Sequence, residues 1–344
     1  MTLGTVDDGL ESGPGTLSRQ DLLALHRTML RIRHFELAGA KQLATGKLSG
    51  TLHLSVGQEA TATGVCSQLR ADDYVTSTHR GHGHCLAKGA DPRLMMAELF
   101  GASAGYCKGR SGSMHIADAS SGLLGANGIV GGGIPMAVGA GLSASVRGTD
   151  QVAVCFFGEG AAGEGTLHES LNLAALWQLP VVFVCENNRY AELSPIADVL
   201  AAQRVADLAA PFGIPSRTDD GNDIVAVVEA IRWALSRARG GQGPVLLEFE
   251  TYRQSGHFEG DAQTYRSKDE RDHWLGRDPL LLSEQRLHDL EIEQDILGQI
   301  ADEAAQEMLD AADWASDQPP APALSMTEDV YHPEPEPGLT RERA

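Results

Sequence analysis

Between Ser18 and about Lys47 the apolar residues Leu22, Leu25, Met29, Ile32 and Leu37 recur at helical spacing, which predicts one long amphipathic helix. Ser18, with Asp21 three residues on, reads as its start. Residues 56–69 and 91–101 predict two further helices. From residue 152 the pattern changes. VAVCFF (152–157) is apolar without alternation, as befits a strand buried on both faces. The run breaks at Gly158-Glu159-Gly160. A helical stretch from near Gly163 follows, with Leu167, Leu171, Ala175 and Leu179 as its buried stripe. A second apolar run, PVVFVC (180–185), ends on Glu186-Asn187-Asn188. Just upstream, 134–147 predicts a helix of small residues, suited to close packing on a flat surface and to subunit contact. Downstream the pattern predicts a helix over 223–239, a strand over 244–253, a polar mobile loop over 255–272 and a final amphipathic helix over 283–312.

Strand, helix and strand in succession make a right-handed parallel crossover. Both polar strand ends then lie on the carboxyl edge of the sheet, where open α/β sheets bind ligands. The expected fold class is therefore α/β, an open, mostly parallel sheet flanked by helices. No repeat or linker divides the core, so one domain is expected over 17–315, between a disordered lead-in (1–16) and an acidic, Pro-rich tail (316–344). Residues 103–133 are rich in Gly and Ser without periodicity, which suggests an ordered ligand loop.

Composition narrows the function classes. With 344 residues and 42% hydrophobic content the chain can bury a large core. A net charge of −20 disfavours nucleic acid and anionic membrane surfaces as partners. No apolar run reaches membrane-spanning length, and the acidic N-terminus is neither a signal nor a transit peptide. Five cysteines without paired spacing favour a reducing cytoplasm.

The two strand ends carry the candidate chemistry. Glu159 offers a carboxylate, Asn188 an amide oxygen and Tyr190 a backbone carbonyl. Mg²⁺ takes about six oxygens near 2.1 Å, commonly one or two carboxylates plus substrate phosphates. Three protein oxygens leave room for two from a diphosphate, whose charge the amides of the helix near Gly163 would face. The plain alternative is two ordinary strand-end turns. GEGAAGEG also fits a dinucleotide turn, but Glu186 lies 28 residues past Gly158, rather than the usual 20 or so. In THRGHGHC (78–85), Arg80 suits a phosphate or carboxylate. His79, His82, His84 and Cys85 are an alternative zinc set, though too tightly spaced for the usual arrangement. His53 and His257 are each either structural or substrate-facing.

GEG…ENNRY, with Glu159 and Asn188 separated by 29 positions, is similar to the thiamine diphosphate signature. HLSVGQEA, THRGHGH, GYCKGRSGSMHIAD, GANGIVGGGIP and TYRQSGHFEGDAQTYR follow in family order. Over about residues 18–315 the chain resembles the alpha subunit of the first component of 2-oxo acid dehydrogenase complexes. THRGHGHC, SMHIAD, GANGIVGGG and GHFEGD look closest to the acetoin dehydrogenase branch, with the pyruvate and branched-chain branches as neighbours.

The resemblance implies cleavage of acetoin, or decarboxylation of a 2-oxo acid, with transfer of the acyl group to a lipoyl carrier. Glu159, Asn188 and the Tyr190 carbonyl would hold Mg²⁺. Gly158, Gly160 and Ala161 would adjoin the diphosphate of the thiamine diphosphate, and Arg80 would grip it with His79 alongside. Gly128 and Val130 would support the pyrimidine and bend the cofactor. His257 would order near the diphosphate and His53 would face substrate, making these two the candidate catalytic residues. The glutamate that activates the ring comes from the beta subunit in two-chain members, which implies an assembly of two alpha and two beta chains. The further partner implied is the lipoyl acyltransferase core of a multienzyme complex. Three departures stand out: Glu159 where most members have Asp, His79 where pyruvate enzymes have Tyr, and Phe258 where mitochondrial pyruvate enzymes have a phosphorylatable Ser.

Overall fold

The computed structural model describes residues 17–330. The expected lead-in over 1–16, and 331–344 of the tail, lie outside the described residues.

Helix α1 (Arg19–Ala44) starts on a reciprocal cap: Asp21 N–H donates to Ser18 Oγ while the Asp21 carboxylate accepts from the Ser18 backbone. There follow α2 (Glu59–Cys66), β1 (Tyr74–Thr76), α3 (His82–Ala87), α4 (Pro92–Leu99), β2 (Leu123–Gly125), α5 (Gly133–Arg147) and β3 (Ala153–Gly158). After α6 (Gly165–Leu176) and β4 (Val181–Asn187) comes a small hairpin, β5 (Tyr190–Ala191) with β6 (Ser194–Pro195), then α7 (Ile196–Val199). The chain closes with β7 (Ser216–Asp220), α8 (Ile224–Arg239), β8 (Val245–Glu250), α9 (Lys268–Leu275), α10 (Pro279–Asp289) and α11 (Gln294–Ser316).

Six strands form one wholly parallel sheet in the order β2-β1-β3-β4-β8-β7, so the fold is the α/β class expected. Helices cover both faces, and the strand period of two distributes side chains between them. Cys155, Phe157, Phe183 and Cys185 pack with Ile134 of α5 and Leu167 and Leu171 of α6. Val154, Phe156, Val182 and Val184 join Phe35 of α1 and Val227 and Ile231 of α8. In α5 the small residues permit close approach: a Cβ on Gly141 would come within 2.6 Å of Val181. Its other face leaves Met136, Leu142 and Val146 exposed.

Four expectations need correction. The helix over 56–69 occupies only Glu59–Cys66. The single helix over 283–312 is two, α10 and α11, because the backbone turns left-handed at Glu291 (φ 59°). The loop over 255–272 is fastened, with Asp261 accepting from the His257 amide (2.7 Å) and the Tyr265 hydroxyl (2.7 Å), and its last residues already belong to α9. The helix after the GEG turn starts at Gly165; Glu159–Gly163 form a separate tight turn, ended by the extended Glu164. Small residues at 160–163 allow that turn, and it, not α6, lies at the end of β3 beside the sheet edge.

Beyond α11 the chain bonds back to the loop that follows α4. Ser103 N–H donates to Pro319 O and Ala321 N–H to Gly101 O. Arg110 reaches the carbonyls of Ser325 (2.6 Å) and Glu328 (3.0 Å). The same loop is organised from beneath by Glu98, a fully buried carboxylate accepting from the amides of Cys107, Gly109, Ser111 and Gly112.

Candidate active site

The chain leaves β1 toward β2 on one side and returns to β3 on the other, so strand order reverses at β1 and β3. Open parallel sheets bind ligands at such a switch point. A cavity of about 360 Å³ lies there, walled by residues that follow β1, β3, β4 and β8. It gathers the residues expected to hold cofactor, metal or substrate: His53, His79, Arg80, Gly128, Val130, Gly158, Glu159, Gly160, Ala161, Asn188, Tyr190 and His257.

One end is short of a cation. Glu159 is buried, its Oε2 accepts the Asn188 backbone N–H at 3.0 Å, and its Oε1 has no partner. Burial pushes its carboxyl up to about 7, against the hydrogen bond from Asn188. Buried polar atoms are almost always satisfied, so an orphaned carboxylate oxygen fits a metal ligand. The neighbouring asparagines diverge: Asn187 turns away to donate to Glu248 Oε1 at 2.8 Å, while Asn188 stays at the cavity with its Oδ1 near Tyr190 N–H (3.3 Å). The Tyr190 hydroxyl is turned outward onto Glu270 (2.8 Å), so only its backbone remains for the site.

The other end is short of an anion. Arg80 is buried and donates only to carbonyls, Leu54 O at 2.6 Å and His257 O at 3.1 Å. Burial, reinforced by Arg253, pulls its guanidinium down to about 9. Arg253 is equally buried, donates to Glu192 O and the Tyr265 hydroxyl, and leaves Nε unpartnered. Among the described residues neither arginine has a carboxylate within ion-pair distance. Unpaired buried charge is expensive, and an incoming phosphate would relieve it.

Beside the two arginines stand three imidazoles. His53 lies 4.8 Å from His79 and 5.2 Å from His257, ring centre to ring centre. Burial first, then the charge of Arg80, lowers His53 and His257 to about 4 and His79 to about 2. All three are neutral at neutral pH. Gly128 belongs to the ordered 103–133 loop; a Cβ there would fall 2.9 Å from His115 Nε2. Val130 is half-exposed at the rim.

The alternative zinc set is not assembled. His82 is drawn off to Glu36 (2.9 Å) and Ser113 (2.9 Å), and His84 to Ser77 (2.7 Å) and Glu186 (3.2 Å). Cys85 is a core thiol whose burial raises it far above the ordinary range. Sequence reading missed Arg253, though a cation shortly past the end of an apolar run was a usable signal. It also missed Glu186 as a cavity residue bonded to a buried histidine.

The family of the dehydrogenase E1 component matches residues 27–323. The chain belongs to this family. The alpha subunit of acetoin:2,6-dichlorophenolindophenol oxidoreductase from Bacillus subtilis is 48% identical over 316 residues, covering 92% of this E1 chain and 95% of that protein. Its namesake from Cupriavidus necator is 50% identical over 256 residues, 74% of this chain and 77% of its own. The pyruvate dehydrogenase E1 component alpha subunit from Rhizobium meliloti is 38% identical over 315 residues, covering 91% and 90%. This E1 chain is thus an alpha-type component of a dehydrogenase, an oxidoreductase. No helix among its described residues is long and apolar enough to cross a membrane.

Proposed function

We propose that this E1 chain is the alpha subunit that holds thiamine diphosphate and Mg²⁺ for cleavage of acetoin, with the acyl group passed to a lipoyl carrier. The observation that carries this reading is the pairing of opposite deficits in one cavity. Glu159 Oε1 lacks a cation partner and the buried Arg80 and Arg253 lack an anion. A metal–diphosphate satisfies both at once; a metal or a phosphate alone satisfies one.

In this reading the Glu159 carboxylate, the Asn188 side-chain oxygen and the Tyr190 carbonyl hold the ion. Arg80 and Arg253 grip the diphosphate beside the amides of Gly160 and Ala161, with Gly158 adjoining and His79 alongside Arg80. Gly128 and Val130 support the ring portion. When bound, thiamine diphosphate supplies the carbanion stabilisation needed to break a carbon–carbon bond beside a carbonyl. His53 and His257 face the substrate. Their neutrality follows from burial and the unpaired Arg80, so an anion on Arg80 raises both toward the range of a general acid.

Identity near 50% to the acetoin enzymes, against 38% to a pyruvate enzyme, favours acetoin as substrate. Decarboxylation of pyruvate or a branched-chain 2-oxo acid by the same residues is the second reading. The exposed apolar residues Met136 and Val146 on α5, with Leu176 and Trp177 at the end of α6, support burial against a beta subunit in an assembly of two alpha and two beta chains. A lipoyl acyltransferase core is the further partner. Five free cysteines suit the cytoplasm.

Titration calorimetry with thiamine diphosphate, with and without Mg²⁺, tests the cofactor assignment. Metal-dependent binding is expected; metal-independent or absent binding overturns it. A substrate panel with a redox dye, on the chain co-expressed with its beta partner, separates acetoin from 2-oxo acids.

A further inference from the structure

His53, His79 and His257 come from three separate segments, ahead of α2, after β1 and after β8. Each offers a ring nitrogen, and the three nitrogens lie within 4.8 Å of one another. His53 Nδ1 and His79 Nε2 are buried without a partner, a cost that coordination would remove. The His257 backbone is held in place by the hydrogen bond its N–H donates to Asp261 (2.7 Å), while Arg253 donates to the ring Nδ1 (3.2 Å), a contact that coordination would displace together with a shift of the ring proton. We propose that these three histidines form a second metal site, separate from Glu159 and Asn188, for a first-row transition ion of the Zn²⁺ class.

Three imidazoles with an open fourth position are a donor set that Zn²⁺ accepts. Nitrogen donors also separate the two sites by ion, since Mg²⁺ prefers oxygen. Zn–N bonds of about 2.0–2.1 Å place ligand nitrogens roughly 3.3 Å apart, so the rings need to turn inward by on the order of 1 Å. Arg80 and Arg253 oppose a cation here, while Asp261 beside His257 favours it. The net positive surroundings therefore assign the fourth position to hydroxide or another anion, which Zn²⁺ readily generates from water near neutral pH. Binding exchanges hydration waters for neutral imidazoles, with no change of oxidation state. An ion held there withdraws the histidines from substrate and inhibits reversibly. The inference rests on the geometry of the cluster and stands apart from the thiamine diphosphate reading.

Co²⁺ titration of the purified full chain, followed by visible absorption, tests it. One equivalent is expected to give the intense band of low-coordinate nitrogen ligation, displaced by Zn²⁺ and untouched by excess Mg²⁺. His53→Ala and His257→Ala should each weaken binding at least about tenfold, whereas Glu159→Gln should leave it intact while strongly weakening Mg²⁺-dependent binding of thiamine diphosphate. Because a variant can lose its fold, Zn²⁺ protection of the wild-type histidines from diethylpyrocarbonate, mapped by peptide mass spectrometry, is a second measurement. Selective protection of these three residues supports the site. Absence of the band, its displacement by Mg²⁺, its persistence in both histidine variants, or equal modification with and without Zn²⁺ overturns it.

Discussion

Glu159 Oε2 takes the backbone N–H of Asn188 at 3.0 Å, a side-chain bond that extends the β3–β4 pairing one step past Gly158 and Glu186 while the other carboxylate oxygen stays free. Replacing the acid by its amide keeps the shape and removes the charge. Glu159→Gln is expected to weaken Mg²⁺-dependent thiamine diphosphate binding by on the order of 100-fold. The ligand-free melting temperature should hold or rise, since a buried amide costs less than a buried carboxylate. Calorimetry and thermal melts read the two effects separately.

Arg80 gives the mirror case. It is buried with only carbonyl partners, so Arg80→Gln should stabilise the ligand-free chain by on the order of 1 kcal/mol. The same variant should lose most of the rise in melting temperature that thiamine diphosphate with Mg²⁺ confers. A variant less stable than wild type without ligand, yet stabilised as strongly by it, would refute the view that Arg80 waits for an anion.

Glu98 is a structural carboxylate of a different kind, since every bond it accepts comes from one loop. Its oxygens take the amides of Cys107 (2.8 Å), Gly109 (2.9 Å), Ser111 (2.7 Å) and Gly112 (3.2 Å). Glu98→Ala strands those donors and should cost roughly 3 kcal/mol or more. Glu98→Gln, which keeps two polar atoms, should recover part of the loss. Denaturant unfolding of the three proteins checks the ranking.

His26 supplies a pH dependence away from the cavity. It is fully buried, its Nδ1 meets Ser283 Oγ at 3.0 Å, and burial lowers it from 6.5 to about 4. The unfolded chain takes up this proton first. Stability is therefore complete above about pH 6.5 and falls as pH drops toward 4, by roughly 3 kcal/mol for this group. His26→Gln should flatten the melting-temperature profile between pH 7 and pH 4.5; an unchanged slope would remove His26 from the account.

Much of this was readable in the chain before any coordinates, for a physical reason. β3 and β4 are covered on both faces, so VAVCFF and PVVFVC had to be unbroken apolar runs, and the polar residues that end them had to sit at the sheet's edge. The strands β1, β2 and β7 escaped notice because YVT, LLG and SRTDD are short or polar and gain their place only from neighbours. The histidines of THRGHGHC look alike in sequence, yet α3 starts at His82 and carries His82 and His84 into the core while His79 stays at the cavity. Arg253 was visible as a cation just past an apolar run, in TYRQSGHFEGDAQTYR, but its role was not. Its role depends on lacking a carboxylate partner, and a lack of partners is a property of space that spacing cannot express.

The strap beyond α11 bears on how the protein is made. Gly101 and Ser103 bond to residues 319–321, and Arg110 to Ser325 and Glu328, over two hundred positions later. During synthesis the loop after α4 therefore emerges long before its clasp. Until residues 325–328 have left the ribosome, Arg110 lacks one or both of its carbonyl partners, so the clasp on that loop closes only after every strand of the sheet has been translated.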